Sequence, residues 1–243
     1  VESLAKVAPL HPETKFIFVD GEVTGDNIAS FDFKAQEGAF LAGILAGMVT
    51  KTGRIGSVMG MDIPPVRAYE VGFRAGIRVA SELETKEVTY HSATVGGFND
   101  PSRGKALAQG LIGQGCDIVL QIAGNSGLGV IEAVKEIPEG VYAIGADMDQ
   151  DDLAPGKVLA SILKRIDVAV FEGIRGAKEG KFKSGHHWLG IDGGGMTLTD
   201  LLHSPVRLSS KVLGIVEEHE KKILGGMRVP SSEKTLEDFA ISQ

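Results

Sequence analysis

The sequence predicts an α/β protein built on parallel sheet, and three observations predict it. Apolar, β-branched runs alternate with longer stretches of helical period, the order expected of βα units. The 243 residues are 43% hydrophobic and 23% charged, apolar enough to bury a core and unlike a disordered chain. Glycine is abundant, at 33 residues, while aromatics supply only 6%, which suits short turns and close helix-to-strand contacts better than an aromatic-filled barrel.

Taken in order, residues 15–20 and 28–33 read as buried strands. Residues 35–50 read as a helix whose small face, Ala39, Gly43 and Gly47, permits close packing on a sheet. A strand at 54–59 runs into Gly60-Met-Asp-Ile-Pro-Pro65, where paired prolines end one element and open a helix over 66–81. A crossing between lobes is expected here. Strands at 87–91, 117–122 and 141–144 then alternate with helices at 102–114 and 129–135, which makes one doubly wound lobe. A strand at 158–163 leads to a helix at 168–179. The Gly190-Ile-Asp-Gly-Gly-Gly195 segment is expected to carry edge strands and another crossing. A helix at 210–224 follows, its Glu217-Glu-His-Glu-Lys-Lys222 stretch reading as a solvated face.

Composition also excludes classes. Acidic residues outnumber basic ones 32 to 25, and the net charge of -7 with no visible basic cluster argues against nucleic acid as a partner. A single cysteine, Cys116, forms no internal disulfide and supplies no multi-thiolate zinc site. The longest apolar run, residues 39–49, is broken by Gly43 and Gly47 and is about half the length of a membrane span, so no transmembrane segment is expected. No short repeat indicates a solenoid or propeller.

Ligands of open α/β sheets gather at the carboxyl ends of strands, so the residues just after each strand are the candidates. In Val95-Gly-Gly-Phe-Asn-Asp100, Phe98 either packs its own loop or stacks on a flat ring. Ala123-Gly-Asn-Ser-Gly-Leu-Gly129 offers close backbone approach at Gly124 and helix amides. It lacks both G-x-G-x-x-G spacing and a Walker ending, so its glycines serve either ligand contact or helix packing. Asp147 ends an apolar strand, placed to accept two hydrogen bonds from a diol, while Asp149 points away or caps a turn. Lys164 stands where a strand gives way to a helix, and beside Asp147 it would keep that carboxylate ionised. A surface ion pair is the other reading of both. There is no G-x-S-x-G elbow and no H-E-x-x-H. His186 and His187, adjacent on a strand, would face opposite ways and chelate a metal poorly. Neither a metal, a cofactor nor a catalytic residue is expected.

Several motifs together carry a resemblance: Asn27-Ile-Ala-Ser-Phe-Asp-Phe33, Glu37-Gly-Ala-Phe-Leu-Ala-Gly43, Gly60-Met-Asp-Ile-Pro64, Gly72-Phe-Arg-Ala-Gly76, Gly124-Asn-Ser-Gly-Leu-Gly-Val130, Asp147-Met-Asp-Gln150 and Ser161-Ile-Leu-Lys-Arg-Ile-Asp167. In this order the chain resembles the basic membrane protein (BMP) family, substrate-binding lipoproteins of ABC importers whose members include a purine nucleoside receptor. The resemblance runs from about Phe16 to Arg228. It implies a type I periplasmic-binding fold of two doubly wound lobes with a hinge and an interlobe cleft. The expected first lobe is residues 1–60 with about 181–243, and the second is 61–180. It implies a purine nucleoside or similar ligand, with Phe98 on the base, Asp147 and Lys164 on ribose hydroxyls and Gly124 lining the pocket. ABC permease and ATPase subunits are the implied partners, and the periplasm or cell surface the implied location, with a lipid anchor holding the full-length form to the membrane.

Members of the family also carry, ahead of the position equivalent to Val1, a signal, a lipobox cysteine, an opening βαβ unit and a loop with polar and aromatic base contacts. None of these is read in this chain, so the first lobe is expected without its opening unit. Two other classes share the same residues. A ligand-sensing regulator would use this lobe pair as an effector module, and an α/β enzyme acting on a sugar or nucleoside would use Asp100 or Asp147 as a base.

Overall fold

The computed structural model describes residues 1–201 and 204–239. The chain forms two compact units, Val1–Lys34 with Lys164–Thr197, and Ala35–Leu163 with the segment from Leu198 onward. These divisions differ from the expected boundaries near residues 60 and 180. One physical reason lies in the helix that follows residue 34, which packs on the helix of the next βα unit.

The first unit carries helix α1 (Glu2–Val7) and strands β1 (Phe16–Val19) and β2 (Ile28–Phe33). Asn27, buried between them, donates its side-chain amide to the carbonyls of Ala8, His11 and Thr14 at 2.9–3.0 Å, fixing the turn that leads into β1. The second segment supplies helix α6 (Ile166–Lys178) and strand β8 (Gly185–Leu189), and the three strands pair in parallel in the order β1-β2-β8. Gly173 lets α6 approach the sheet, because a Cβ there would press on Ile17. His186 Nε2 meets Asp32 at 2.7 Å, whereas the His187 ring stacks on Phe31 with centroids 5.1 Å apart. Alternation along the strand thus gives the two histidines different surroundings. The Gly190–Gly195 stretch is a turn rather than a pair of edge strands; Gly194 at φ +66° takes a conformation that glycine tolerates best.

The second unit begins with helix α2 (Ala35–Val49), strand β3 (Arg54–Met59) and helix α3 (Pro64–Glu84). Strand β4 (Thr89–Thr94), helix α4 (Pro101–Gly113), strand β5 (Ile118–Ile122), helix α5 (Gly127–Lys135), strand β6 (Tyr142–Asp147) and strand β7 (Val158–Lys164) follow. Neighbouring strands are parallel in the order β4-β3-β5-β6-β7, so their carboxyl ends share one edge of the sheet. β7 ends on Lys164, the first residue of the other unit's second segment. β9 (Met196–Leu198) carries the chain back, and helices α7 (Ser210–Leu224) and α8 (Glu233–Glu237) close the described structure. The last four positions of the expected first lobe lie outside the described residues.

The small face of α2, expected on a sheet, meets α3. A Cβ at Gly43 would overlap the carbonyl of Phe73, and one at Gly76 the carbonyl of Phe40, so the two helices touch backbone to backbone. Below them Asp117, almost fully buried, accepts from Thr50 Oγ1 at 2.6 Å and from the amides of Lys51 at 2.6 Å and Thr52 at 3.0 Å. This buried carboxylate satisfies the turn joining α2 to β3, pairing the buried Thr50 hydroxyl and two half-buried backbone amides. No described helix is long and apolar enough to cross a membrane.

Candidate functional site

The carboxyl ends of β4, β5 and β6 hold three of the four expected residues. Phe98, partly buried in the loop after β4, lies against two glycines. A Cβ at Gly60, after β3, would overlap its ring, and one at Gly124, after β5, would stand 3.4 Å from its Cβ. Gly124 also takes φ +54°, which favours glycine. Ser126 ties the two loops: its amide donates to the Phe98 carbonyl at 3.0 Å, its hydroxyl to the Gly97 carbonyl at 3.1 Å, and its Oγ accepts from the Asp100 amide at 2.9 Å. Phe98 and Gly124 are thereby brought together. Asp100 serves as the cap of α4, accepting from the Arg103 amide at 2.9 Å.

Asp147 ends β6, exposed, at φ +71°. Aspartate tolerates that left-handed conformation better than most side chains. The buried Tyr69, on α3, donates its hydroxyl to Asp147 Oδ1 at 2.9 Å. Asp149 takes the turn role, its carboxylate accepting from the Asp151 amide at 3.1 Å.

Lys164 belongs to the other unit, where its Nζ meets Asp20 Oδ2 at 2.8 Å and lies 5.8 Å from the centre of the Phe33 ring. Asp20, at φ +60°, directly follows β1. Sequence reading named neither Tyr69 nor Asp20. Asp20 was within reach of the strand-end rule, since it closes the run read at residues 15–20. Tyr69 was not, because it sits on a helix and meets Asp147 only through tertiary packing. Among the described residues no three His, Cys, Asp or Glu side chains cluster as a metal site.

The family model described as ABC transporter substrate-binding protein PnrA-like matches residues 1–233. Basic membrane protein A of Borreliella burgdorferi is 36% identical over 172 residues, covering 69% of this chain and 50% of that protein. The CD4+ T-cell-stimulating antigen of Listeria monocytogenes is 31% identical over 248 aligned positions, covering 94% of this chain and 67% of that one. The chain spans about half the length of the curated basic membrane proteins it matches. Among solved structures, an ABC transporter solute-binding protein from Aeropyrum pernix K1 superposes with a TM-score of 0.83 at 30% identity, covering 98% of this chain and 76% of that one. One from Conexibacter woesei reaches 0.76 at 20% identity, covering 95% and 76%, a likeness of fold. The architecture is that of the periplasmic-binding type.

Proposed function

Because this chain belongs to the PnrA-like family of ABC transporter substrate-binding proteins, we propose that it binds a purine nucleoside, or a similar ligand joining a flat ring to a diol, and delivers it to an ABC permease and ATPase. In this reading Phe98 stacks on the base, Gly124 lines the site beside it, and Asp147 and Lys164 bind the ribose hydroxyls. The observation that carries it is the pairing, along one sheet edge, of a glycine-backed aromatic with an exposed carboxylate held by Tyr69. A ring face recognises the base by stacking, and a carboxylate accepts from two hydroxyls through charge-assisted hydrogen bonds. The ligand is carried and not converted. The protein acts outside the cytoplasmic membrane, held there by a lipid anchor.

Thermal unfolding with adenosine, guanosine, inosine, cytidine, ribose and adenine tests this reading, since a ligand that binds only the folded state raises the midpoint. Purine nucleosides are expected to raise it, and ribose or adenine alone to do so far less. A panel without any shift, from a chain that unfolds cooperatively, would overturn the ligand class. Chromatography of the incubated nucleosides is expected to recover them intact; release of free base would favour an enzyme instead.

A further inference from the structure

We propose that Gln121 and Gln150 are a positioning pair that sets the Gly124 turn and the Asp147 turn in register for the ligand, an inference that rests on the nucleoside reading above. Both side chains are almost fully buried. Gln121 interrupts β5, otherwise the apolar run Ile-Val-Leu-Gln-Ile, and Gln150 follows the turn after β6. Gln121 Nε2 donates to Gln150 Oε1 at 2.7 Å. Gln121 Oε1 accepts from the Ala123 amide at 3.1 Å, just before Gly124. Gln150 Oε1 also accepts from the Ala146 amide at 3.2 Å, just before Asp147.

Only one orientation of the two side-chain amides satisfies this set. Both backbone N–H groups need an oxygen, so each glutamine must present its oxygen to its own turn, and Gln121 then has its NH2 left for Gln150. The pair is anchored further, as the Gln150 amide donates to Ser161 Oγ at 3.1 Å and the Ser161 amide to Thr199 Oγ1 at 2.9 Å. Two glycines leave room for it. A Cβ at Gly127 would overlap the Gln121 amide, and one at Gly145 would stand 2.7 Å from Gln150 Oε1 and 2.5 Å from Ser161 Oγ.

Packing alone does not call for this arrangement. Leucine or methionine would fill the same space without burying polar atoms that must each find a partner. What the amides add is direction, because each side-chain oxygen accepts from the backbone just before one of the two turns and the Gln121 NH2 joins the two side chains. Through that chain the backbone before the residue beside Phe98 and the backbone before the diol-binding carboxylate become one connected unit.

Gln150→Glu and Gln150→Met separate positioning from packing. Glutamate keeps an oxygen for both Gln121 and Ala146, while methionine keeps the volume and removes the acceptor. Inosine affinity by titration calorimetry is expected to fall about tenfold or more in Gln150→Met, where buried donors lose their partner, and to fall less in Gln150→Glu, which keeps the acceptor at the cost of a buried carboxyl group. Gln121→Met should weaken binding similarly, and the double methionine variant should be little worse than either single one, as for residues acting as a unit. Hydrogen exchange at the Ala123 and Ala146 amides should quicken in the methionine variants and be restored by glutamate. Wild-type affinity in Gln150→Met, or a glutamate variant as weak as the methionine one, overturns the proposal. If Gln150→Met does not fold, Gln121→Met carries the same comparison. If the wild-type protein binds no nucleoside, the functional reading fails by itself, and amide exchange unchanged by Gln121→Met would then sink the tie between the turns as well.

Discussion

The hydroxyl of Tyr69 donates to Oδ1 of Asp147 across 2.9 Å, joining the beginning of α3 to the carboxyl end of β6. A helix side chain therefore orients the carboxylate that the proposed ligand would meet. Tyr69→Phe removes the donor and leaves the ring, and is expected to weaken nucleoside binding by about 1 kcal/mol, roughly fivefold. Asp147→Ala should cost more, about 2 to 5 kcal/mol, since it removes one partner of a charged contact. Calorimetric titration of both variants checks the order, and equal affinity in Asp147→Ala and wild type would remove Asp147 from the site.

The contact between α2 and α3 depends on glycines whose added Cβ would meet backbone, which cannot retreat as a flexible side chain can. Gly43→Ala and Gly76→Ala are each expected to destabilise the fold by about 1–3 kcal/mol or more. Urea unfolding should show a lower midpoint with an unchanged slope.

Asp117 satisfies three donors at the turn after α2. Asp117→Ala removes their shared acceptor, leaving the Thr50 hydroxyl buried and the two amides half-buried, and a loss of about 1–3 kcal/mol is expected in the same urea experiment. A variant within experimental error of wild type would mean that water replaces the carboxylate there.

Alkaline pH should destabilise the protein through two groups. Burial, with Glu70 nearby, pushes the Tyr90 phenol well above its ordinary value, and burial, with Asp117 nearby, pushes the Cys116 thiol up. Both acids are therefore held neutral in the folded state and ionise earlier in the unfolded chain, at about 8.5 for the thiol and about 10 for the phenol. Their contribution is fully present below those values and is lost as pH rises through them toward the folded values. The unfolding midpoint should fall between about pH 8 and 11. Tyr90→Phe, though it takes from Ser57 a hydroxyl partner at 2.5 Å, should flatten the upper part of that decline. A decline of the same shape in both proteins would assign it elsewhere.

Alternation of strands and helices was legible in the sequence because periodicity is a local property, and the helix read at residues 210–224 matches α7 to the residue. Strand ends were less sharp. The strand read at 87–91 runs over Thr89–Thr94 and the one read at 141–144 over Tyr142–Asp147, because register with a neighbouring strand decides where pairing stops. The Gly190–Gly195 segment was misread as strand, since its backbone conformation and not its composition makes it a turn.

The sequence by itself determined the fold class, the parallel order of βα units and the strand-end positions of Phe98, Gly124, Asp147 and Lys164, all of which follow from side-chain pattern along the chain. Tertiary structure alone decided their partners: Gly60 beneath Phe98, Tyr69 on Asp147, Asp20 on Lys164 and Gln150 on Gln121. These partners lie 29 to 144 residues apart along the chain. No local pattern encodes such pairings, because each arises only when separate elements are packed and their polar groups must find one another.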